Sequence, residues 1–345
     1  MAHRYARLIL ACLLSPAFFL PATMASPPQK PLLVAHRGAS GYAPEHTLAA
    51  YALAIEQGAD FVEQDLQITK DGHFICLHDP DLARTTNVRE VFPDRATMRD
   101  PDETGNPHRG YYVIDFTLAQ IKQLDAGSWF NRANPFAANP DYAGQRVPTL
   151  EEAIKLVGKR AGLYIELKHY PFYKQSGFDA AQKLAAILKA HGFDQTGERD
   201  RILIQSFSKQ CLLRMREVAP AYRRIQLLPM EDAARKEDSA KVTAALAKEI
   251  AAYAQGVGPA KAMLKDASDV AVFHAAGLLV HPYTFRGPTI AAARKPLDEM
   301  QPNGSTVRQG VIEDILRYAG FGIDGGFTDY PALWREAERK QPNTK

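Results

Sequence analysis

The stretch LLVAHRGASGYAPEHTLAAYALAIEQGADFVEQDLQIT, residues 32–69, contains the unit from which the fold can be predicted. An apolar run ends at Ala35, a Gly-containing polar loop follows, residues 47–57 have helical spacing, and a second apolar run covers 60–66. Short continuous apolar runs are typical of strands buried on both faces, as in parallel sheets. The stretch therefore predicts a strand–helix–strand unit.

The same alternation continues along the chain. Strand-like runs are expected at residues 31–36, 60–66, 74–77, 163–168, 201–207, 224–228, 278–285 and 325–329, and helical spacing occurs at 47–57, 150–157, 179–190 and 266–276. About eight strands alternating with helices in one chain predict an α/β fold of the TIM-type (β/α)8 barrel class, rather than an open doubly wound sheet.

The N-terminus has the layout of a secretory signal peptide. Arg4 and Arg7 precede an uncharged run from 8 to 20, and small residues follow. We expect cleavage after Ala25, which gives a signal peptide at 1–25 and a single barrel domain at 26–345. A stable membrane anchor is disfavoured because Pro16 interrupts the run, which is also too short to span a bilayer. Loss of the two arginines lowers the formal charge from +3 to +1, which gives no reason to expect a nucleic-acid partner.

Residues 81–147 break the strand–helix rhythm. They are rich in Arg, Asp, Pro, Gly and Asn, without a long periodic run. Loops this long in compact domains are usually functional lids or disordered segments. Since Tyr111, Tyr112, Trp129 and Phe130 can anchor the segment, we expect an ordered insertion over the barrel mouth.

Charged residues follow the strand-like runs, where TIM barrels carry their chemistry. Glu63 with Asp65, and Glu166 with Lys168, are separated by one residue, so each pair lies on one face of its strand. Glu63, Asp65 and Glu166 offer only oxygen ligands, which favour Ca²⁺ or Mg²⁺ over zinc. Taken alone, Glu63-x-Asp65 could equally be a solvated strand end.

Two histidines and two cationic side chains complete the candidate site at the strand ends. His36 and His78 each follow an apolar run and could serve as general acid and base near neutral pH. Arg37 and Lys168 could hold a phosphate, although either could instead pair with a structural carboxylate. Asp79 could orient a histidine or simply begin a turn. The combination suits phosphodiester hydrolysis.

The motifs resemble those of the glycerophosphodiester phosphodiesterase family over roughly residues 31–335. The segments that carry the resemblance are 36–38 (HRG), 44–47 (PEHT), 63–65 (EQD), 69–72 (TKDG), 77–79 (LHD), 148–152 (PTLEE), 165–168 (IELK), 205–207 (QSF) and 327–331 (FTDYP). The common family pattern has Asn where this chain has His46. His46 and the segments 114–117 and 280–284 resemble the motifs of the secreted periplasmic branch of the family, whose members use Ca²⁺.

The resemblance implies a function and a role for each residue. The expected reaction is hydrolysis of small glycerophosphodiesters, such as glycerophosphocholine or glycerophosphoethanolamine, to sn-glycerol 3-phosphate and an alcohol. The implied roles are His36 as base and His78 as acid, Glu63, Asp65 and Glu166 as ligands for Ca²⁺ (alternatively Mg²⁺), Arg37 and Lys168 on the phosphate, Glu45 on the glycerol or metal side, and Gln205, Tyr283 and Phe285 as substrate wall, with His281 structural.

Three questions stay open at this point. The insertion's aromatic residues leave room for a lysophospholipase D or phosphoinositide-cleaving activity. A secreted surface-binding protein that has lost turnover is a further alternative, although it would not need the full set of charged residues. Cys76 and Cys211 are expected to be small buried residues, and the sequence cannot decide whether they pair.

Overall fold

The computed structural model describes residues 30–229, 241–287, 289–290, 293–302 and 304–340, so the predicted signal peptide lies outside the described residues. In chain order, the strands of this part are β1 (Leu32–Ala35), β2 (Phe61–Ile68), β3 (Phe74–Cys76), β4 (Thr97–Arg99), β5 (His108–Gly110), β6 (Gly162–Leu167), β7 (Ile202–Ser206), β8 (Arg223–Leu228), β9 (Gly256–Pro259), β10 (Leu279–Val280), β11 (Thr289–Ile290), β12 (Ala293–Arg294) and β13 (Gly325–Thr328).

The helices of the same part lie mostly between these strands. They are α1 (Leu48–Glu56), α2 (Val88–Val91), α3 (Leu118–Ile121), α4 (Ser128–Ala133), α5 (Leu150–Val157), α6 (Tyr170–Gln175), α7 (Ala180–Ala190), α8 (Lys209–Val218), α9 (Ala244–Ala251), α10 (Ala267–Ala275), α11 (Val307–Gly320) and α12 (Pro331–Lys340). The four predicted helical segments correspond to α1, α5, α7 and α10, within one residue at each end.

Eight parallel strands form a nearly closed barrel, which confirms the predicted fold class. Their order is β10-β9-β8-β7-β6-β2-β1-β13. The two end strands meet through backbone hydrogen bonds, including Phe285 N–H to Phe327 O at 2.7 Å and Asp324 N–H to Val280 O at 3.0 Å. Because the strands are buried on both faces, they read in the sequence as continuous apolar runs.

One predicted barrel strand was wrong and one was missed. The run at 74–77 forms β3, which pairs antiparallel with β2 and stands outside the barrel. The missing barrel strand is β9, whose sequence GVGP has a proline and two glycines and therefore lacks a strand signature. At Gly256 a Cβ atom would lie 2.6 Å from Ile225 Cδ1 and 3.0 Å from the Leu279 carbonyl oxygen, so a side chain there would force its neighbours to shift.

The barrel has an inner and an outer apolar layer. Val34, Phe61, Tyr164, Ile225 and Phe327 belong to a buried cluster between the strands, and the larger core lies between the sheet and the surrounding helices. Local signals start those helices. At α5, for example, the Thr149 side chain accepts from the Glu152 N–H while the Glu152 side chain accepts from the Thr149 N–H, which is a capping box.

The predicted insertion is ordered around a core of its own. Val113, Phe116, Ile121 and Leu124 are fully buried in a cluster that also contains Ile75 of β3. The insertion carries the hairpin β4–β5 and several short helices. It therefore packs beside the barrel mouth, where Arg84 bonds to Glu45 in the loop after β1.

Cys76 and Cys211 are both free and buried, so they do not pair in this structure. Burial raises the pKa of each thiol to about 12, which makes them inert packing groups. Across the described residues, the helices are too short or too polar to cross a bilayer.

Candidate active site

A polar pocket opens at the carboxyl ends of the barrel strands. Nine of the ten predicted site residues line it: His36, Arg37, Glu63, Asp65, His78, Glu166, Lys168, Gln205 and Tyr283. The tenth, Glu45, lies behind the pocket wall, where it accepts from Arg37 at 3.0 Å. Phe207, Leu227, Thr284, Arg286 and Phe327 complete the lining.

Strand register explains why the carboxylates meet. Asp65 of β2 is the register partner of Glu166 of β6, and Glu166 is that of Gln205 of β7. Glu63 lies two residues before Asp65, so it shares the same face. One oxygen from each of Glu63, Asp65 and Glu166 lies within 4.8 Å of the others, and all three residues are buried. The three side chains can therefore ligate one cation.

The electrostatics of this trio fit a cation. Burial, together with the negative charge of Asp65, raises the pKa of Glu63 and of Glu166. Burial also acts to raise the pKa of Asp65, but Lys168 and His46 outweigh it and hold that pKa well below its usual range. Asp65 Oδ1 is buried without a hydrogen-bond partner in the described part of the chain. An oxygen in this state is a suitable metal ligand.

The loop after β1 is built around an unusual backbone turn. Arg37 has φ +59° and Gly38 has φ +85°. This turn directs the Arg37 N–H to Glu63 Oε2 at 2.9 Å. A Cβ atom at Gly38 would lie 2.7 Å from the Ala50 carbonyl carbon of α1, so the turn requires glycine twice over, by its dihedral angle and by its packing.

Two cations face the carboxylates. The Arg37 guanidinium bonds to Glu45, and its Nε lies 3.4 Å from Asp65 Oδ2. Lys168 Nζ lies 3.2 Å from Glu166 Oε1. Burial acts to lower the pKa of Lys168, but Glu166 and Asp65 outweigh it and raise that pKa, so the lysine keeps its charge. With Arg286 on its wall, the pocket thus holds three positive groups beside its acidic floor.

His36 is held by a carboxylate from the far end of the chain. Its Nδ1 lies 2.6 Å from Asp329 Oδ1, and its Nε2 lies 3.8 Å from Glu63 Oε2. Burial, followed by the charge of Arg37, lowers the pKa of His36 to about 3. The imidazole is therefore neutral near pH 7. Since Asp329 accepts from Nδ1, the basic lone pair of the ring is on Nε2, towards Glu63.

His78 reaches the pocket by a different route. Strand β2 runs beyond the barrel rim, and β3 returns antiparallel to it, so that Leu77 N–H bonds to Asp65 O at 2.9 Å. His78 Nδ1 then lies 2.5 Å from Asp79 Oδ1. Burial, followed by the charges of Lys168 and Arg37, lowers the pKa of His78 to about 4. A strand outside the barrel therefore supplies the second histidine.

Gln205 and Tyr283 form hydrogen bonds in the pocket, whereas Phe285 lies outside it. Gln205 donates to Glu63 Oε1 at 2.9 Å, and the Tyr283 hydroxyl donates to Leu228 O at 2.9 Å. Phe285, by contrast, is fully buried against Trp334 and lies outside the pocket, so its expected place in the substrate wall was wrong. It follows Thr284 near a strand end, where inward and outward positions are hard to separate by sequence.

His281 matches its expected structural position. It is fully buried, with Nδ1 3.0 Å from the Tyr164 hydroxyl, away from the pocket lining.

Sequence reasoning missed four residues of this site. They are Asp329, which holds His36; Arg84, which bonds to Glu45 and to Asp79; Arg286 on the pocket wall; and His46, which bonds to Asp65. His46 and Asp329 lie inside the family motifs 44–47 and 327–331, and this position was the signal that could have marked them as site residues. Arg84 and Arg286 lie in irregular segments without a pattern.

Comparisons with known proteins agree with this geometry. The model of the glycerophosphoryl diester phosphodiesterase family matches residues 36–333. A glycerophosphodiester phosphodiesterase of Bacillus subtilis (strain 168) is 37% identical over 313 residues, covering 90% of this chain and 88% of that protein. One of Haemophilus influenzae is 31% identical and covers 87% of each chain.

Solved structures share the fold. A glycerophosphodiester phosphodiesterase from Agrobacterium tumefaciens has a TM-score of 0.59 and 25% identity, with 89% of this chain and 99% of that chain covered. An Oleispira antarctica phosphodiesterase, solved with its product sn-glycerol-3-phosphate, has a TM-score of 0.63 and 24% identity, with 90% and 97% covered.

Proposed function

This chain belongs to the glycerophosphoryl diester phosphodiesterase family, and on that premise we propose that it cleaves small deacylated diesters such as glycerophosphocholine and glycerophosphoethanolamine. The enzyme hydrolyses glycerophosphodiesters to glycerol 3-phosphate, which is the reaction of the family. One observation carries the detailed proposal: two histidines, each bonded to an aspartate, share one pocket with three carboxylates and three cations.

Glu63, Asp65 and Glu166 would hold a divalent cation. Their all-oxygen donor set suits Ca²⁺, with Mg²⁺ as the alternative, and the resemblance to the periplasmic branch favours Ca²⁺. A cation held there would give the unpartnered Oδ1 of Asp65 a partner and would offset the repulsion that raises the pKa of Glu63 and Glu166. It would supply charge neutralisation and polarisation of the phosphate.

Arg37 and Lys168 hold the phosphate in this proposal. Both are partly buried at the rim of the acidic trio, with side chains 13% and 10% exposed, so their charges are only partly screened by solvent. Arg37 offers a planar fork to two phosphate oxygens, while Lys168 acts as a point charge. Glu45, bonded to Arg37 from behind the pocket wall, fixes the guanidinium on the glycerol or metal side of the site. Gln205 and Tyr283 form the opposite wall.

His36 is the general base and His78 the general acid. His36 has its free lone pair on Nε2, because Asp329 occupies Nδ1, and it can take a proton from the attacking hydroxyl, whether of water or of the glycerol. His78 must donate a proton to the leaving alkoxide. Lys168 and Arg37 depress its pKa in the free protein, and an anionic phosphate between those cations offsets their effect.

The decisive experiment measures release of glycerol 3-phosphate from glycerophosphocholine by the purified chain, with and without chelator, and after restoring Ca²⁺ or Mg²⁺. We expect chelation to abolish release and Ca²⁺ to restore it. A parallel assay with lysophosphatidylcholine separates deacylated from lipid substrates. Faster cleavage of the lipid, or release that is insensitive to chelator, would contradict the proposal.

We also propose that the enzyme is exported to the periplasm after loss of residues 1–25. The support is the sequence of those residues, in which basic, apolar and small-residue regions follow in order. N-terminal sequencing of protein from the periplasmic fraction should begin at Ser26. Recovery of the full-length chain from the cytoplasm would refute this proposal.

A further inference from the structure

A buried histidine connects the acidic trio to the core of the protein. His46 is 2% exposed, with Nε2 2.8 Å from Asp65 Oδ2 and Nδ1 2.8 Å from the hydroxyl of Tyr51, which is fully buried in α1. Both ring nitrogens are therefore engaged.

The chemistry of the partners fixes the direction of these bonds. As a carboxylate that ligates a cation, Asp65 can only accept a hydrogen bond, so its 2.8 Å contact with His46 Nε2 requires the ring proton on Nε2. In the neutral ring, Nδ1 then accepts from the Tyr51 hydroxyl. Burial, together with the nearby Cys76 thiol, raises the pKa of Tyr51 well above its usual value, so this hydroxyl keeps its proton. The resulting chain runs from Tyr51 through His46 to Asp65.

These bonds divide the two oxygens of Asp65. Oδ2 is engaged by His46 and lies 3.4 Å from Arg37 Nε. Oδ1 is buried and has no hydrogen-bond partner among the residues that the structure describes. Gln205 Oε1, on the wall of the same pocket, is likewise buried without a partner there. One carboxylate oxygen is thus held in place by the protein, and the other is left for a cation.

We propose that His46 is the positioning residue of the cation site, and that with Tyr51 it sets the affinity of Asp65 for a divalent cation. This inference rests on the proposed function, because it concerns the same three carboxylates. Residues that orient metal ligands typically change metal affinity by about 10- to 100-fold when they are removed. The expected effect is therefore on ion binding, and it can be measured without substrate.

The backbone at His46 allows a clean substitution. His46 has φ +53°, a left-handed conformation that Asn adopts more readily than most residues. His46→Asn therefore keeps the turn while shortening the side chain, so that it cannot bridge Tyr51 and Asp65. In His46→Gln the amide nitrogen lies as many bonds from Cβ as Nε2 does, so this variant keeps a donor for Asp65. The control is His274→Gln, which makes the same change at another His–Asp pair, with Nε2 2.8 Å from Asp324 Oδ2, outside the pocket lining.

The experiment is calorimetric titration of the metal-free protein with Ca²⁺, supported by the Ca²⁺-induced rise in Tm. We expect His46→Asn to weaken Ca²⁺ binding about 10- to 100-fold, and His46→Gln to remain within about threefold of the wild-type chain. Tyr51→Phe, which removes only the hydroxyl behind the ring, should weaken binding by a smaller factor. The His274→Gln control should match the wild-type chain.

The outcomes separate this inference from the proposed function. Wild-type affinity in both His46→Asn and Tyr51→Phe overturns the positioning role and leaves the cation site intact. Equal losses in His46→Gln and His46→Asn also overturn it, because the donor to Asp65 would then be irrelevant. A wild-type chain that binds neither Ca²⁺ nor Mg²⁺ refutes the cation site of the proposed function itself.

Discussion

His36 and Asp329 are 293 positions apart in the chain, yet Nδ1 of the imidazole lies 2.6 Å from Oδ1 of the carboxylate. His36 follows β1 and Asp329 follows β13, and these two strands are paired in register across the barrel, with Ala35 opposite Thr328. Each residue comes directly after the last pair, so the pairing of β1 with β13 creates the contact. Asp329 is fully buried, so the contact is shielded from solvent.

Asp329→Asn tests this contact. An amide cannot hold the imidazole in one tautomer as a carboxylate does, so we expect kcat to fall by about 100-fold or more, with a much smaller change in KM. Steady-state kinetics with glycerophosphocholine gives both values, and the Tm of the variant checks the fold. A folded variant within threefold of the wild-type kcat would show that the contact is only structural.

His78→Ala tests the acid assignment. A general acid matters less when the leaving group is already a stable anion. We therefore expect a loss of about 100- to 10,000-fold on glycerophosphocholine but a much smaller loss on a glycerol 3-phosphate diester of p-nitrophenol. The comparison of kcat/KM for the two substrates decides the matter. Equal losses on both substrates would rule out His78 as the acid.

Arg84→Met tests whether the insertion belongs to the site. The Arg84 guanidinium bonds to both oxygens of Glu45, and its Nε bonds to Asp79, the partner of His78. Without it we expect kcat to fall about 10-fold as His78 loses its support, and Arg84→Lys to recover only part, since a lysine lacks the fork that bridges two carboxylates. Arg109→Met, an exposed position on β5, is the matched control. If Arg84→Met behaves like that control, the insertion does not support His78.

Protonation of His281 gives the protein a pH-dependent stability. Burial lowers the pKa of His281 from 6.5 to about 4, so between those values the unfolded chain binds a proton that the folded chain excludes. This stabilisation is complete above pH 6.5 and is lost as the pH falls towards 4. The free energy of unfolding should decrease by about 2 kcal/mol between pH 8 and pH 5 through this residue alone.

The comparison that isolates this effect is His281→Gln, which keeps a polar partner for Tyr164 and does not titrate. Denaturant unfolding at pH 5 and pH 8 should show a smaller difference for the variant than for the wild-type chain. His36 and His78 act in the same direction and contribute to both proteins. An identical difference in the two proteins would mean that His281 takes up no proton on unfolding.

The sequence by itself determined the barrel class and most of the polar residues of the pocket. The strands of a parallel barrel are buried on both faces and are therefore continuously apolar, and catalytic residues follow their carboxyl ends. A run such as LLVA before His36 thus indicates both a barrel strand and a residue of the site. It did not disclose β9, because a strand made of glycine, valine and proline is specified by the packing of its neighbours rather than by its own propensity. It also misassigned β3, since an apolar run does not show whether its partner is parallel.

Only the tertiary structure decided which side chains support the reacting ones. Asp329 meets His36 because the first and last strands pair, Arg84 meets Asp79 and Glu45 because the insertion folds onto the mouth, and His46 meets Asp65 because a left-handed turn directs it inward. Local sequence fixes which face of a strand a residue occupies. Contacts between residues that are distant in the chain depend on register, closure and loop conformation, which are set by the packing of the whole molecule.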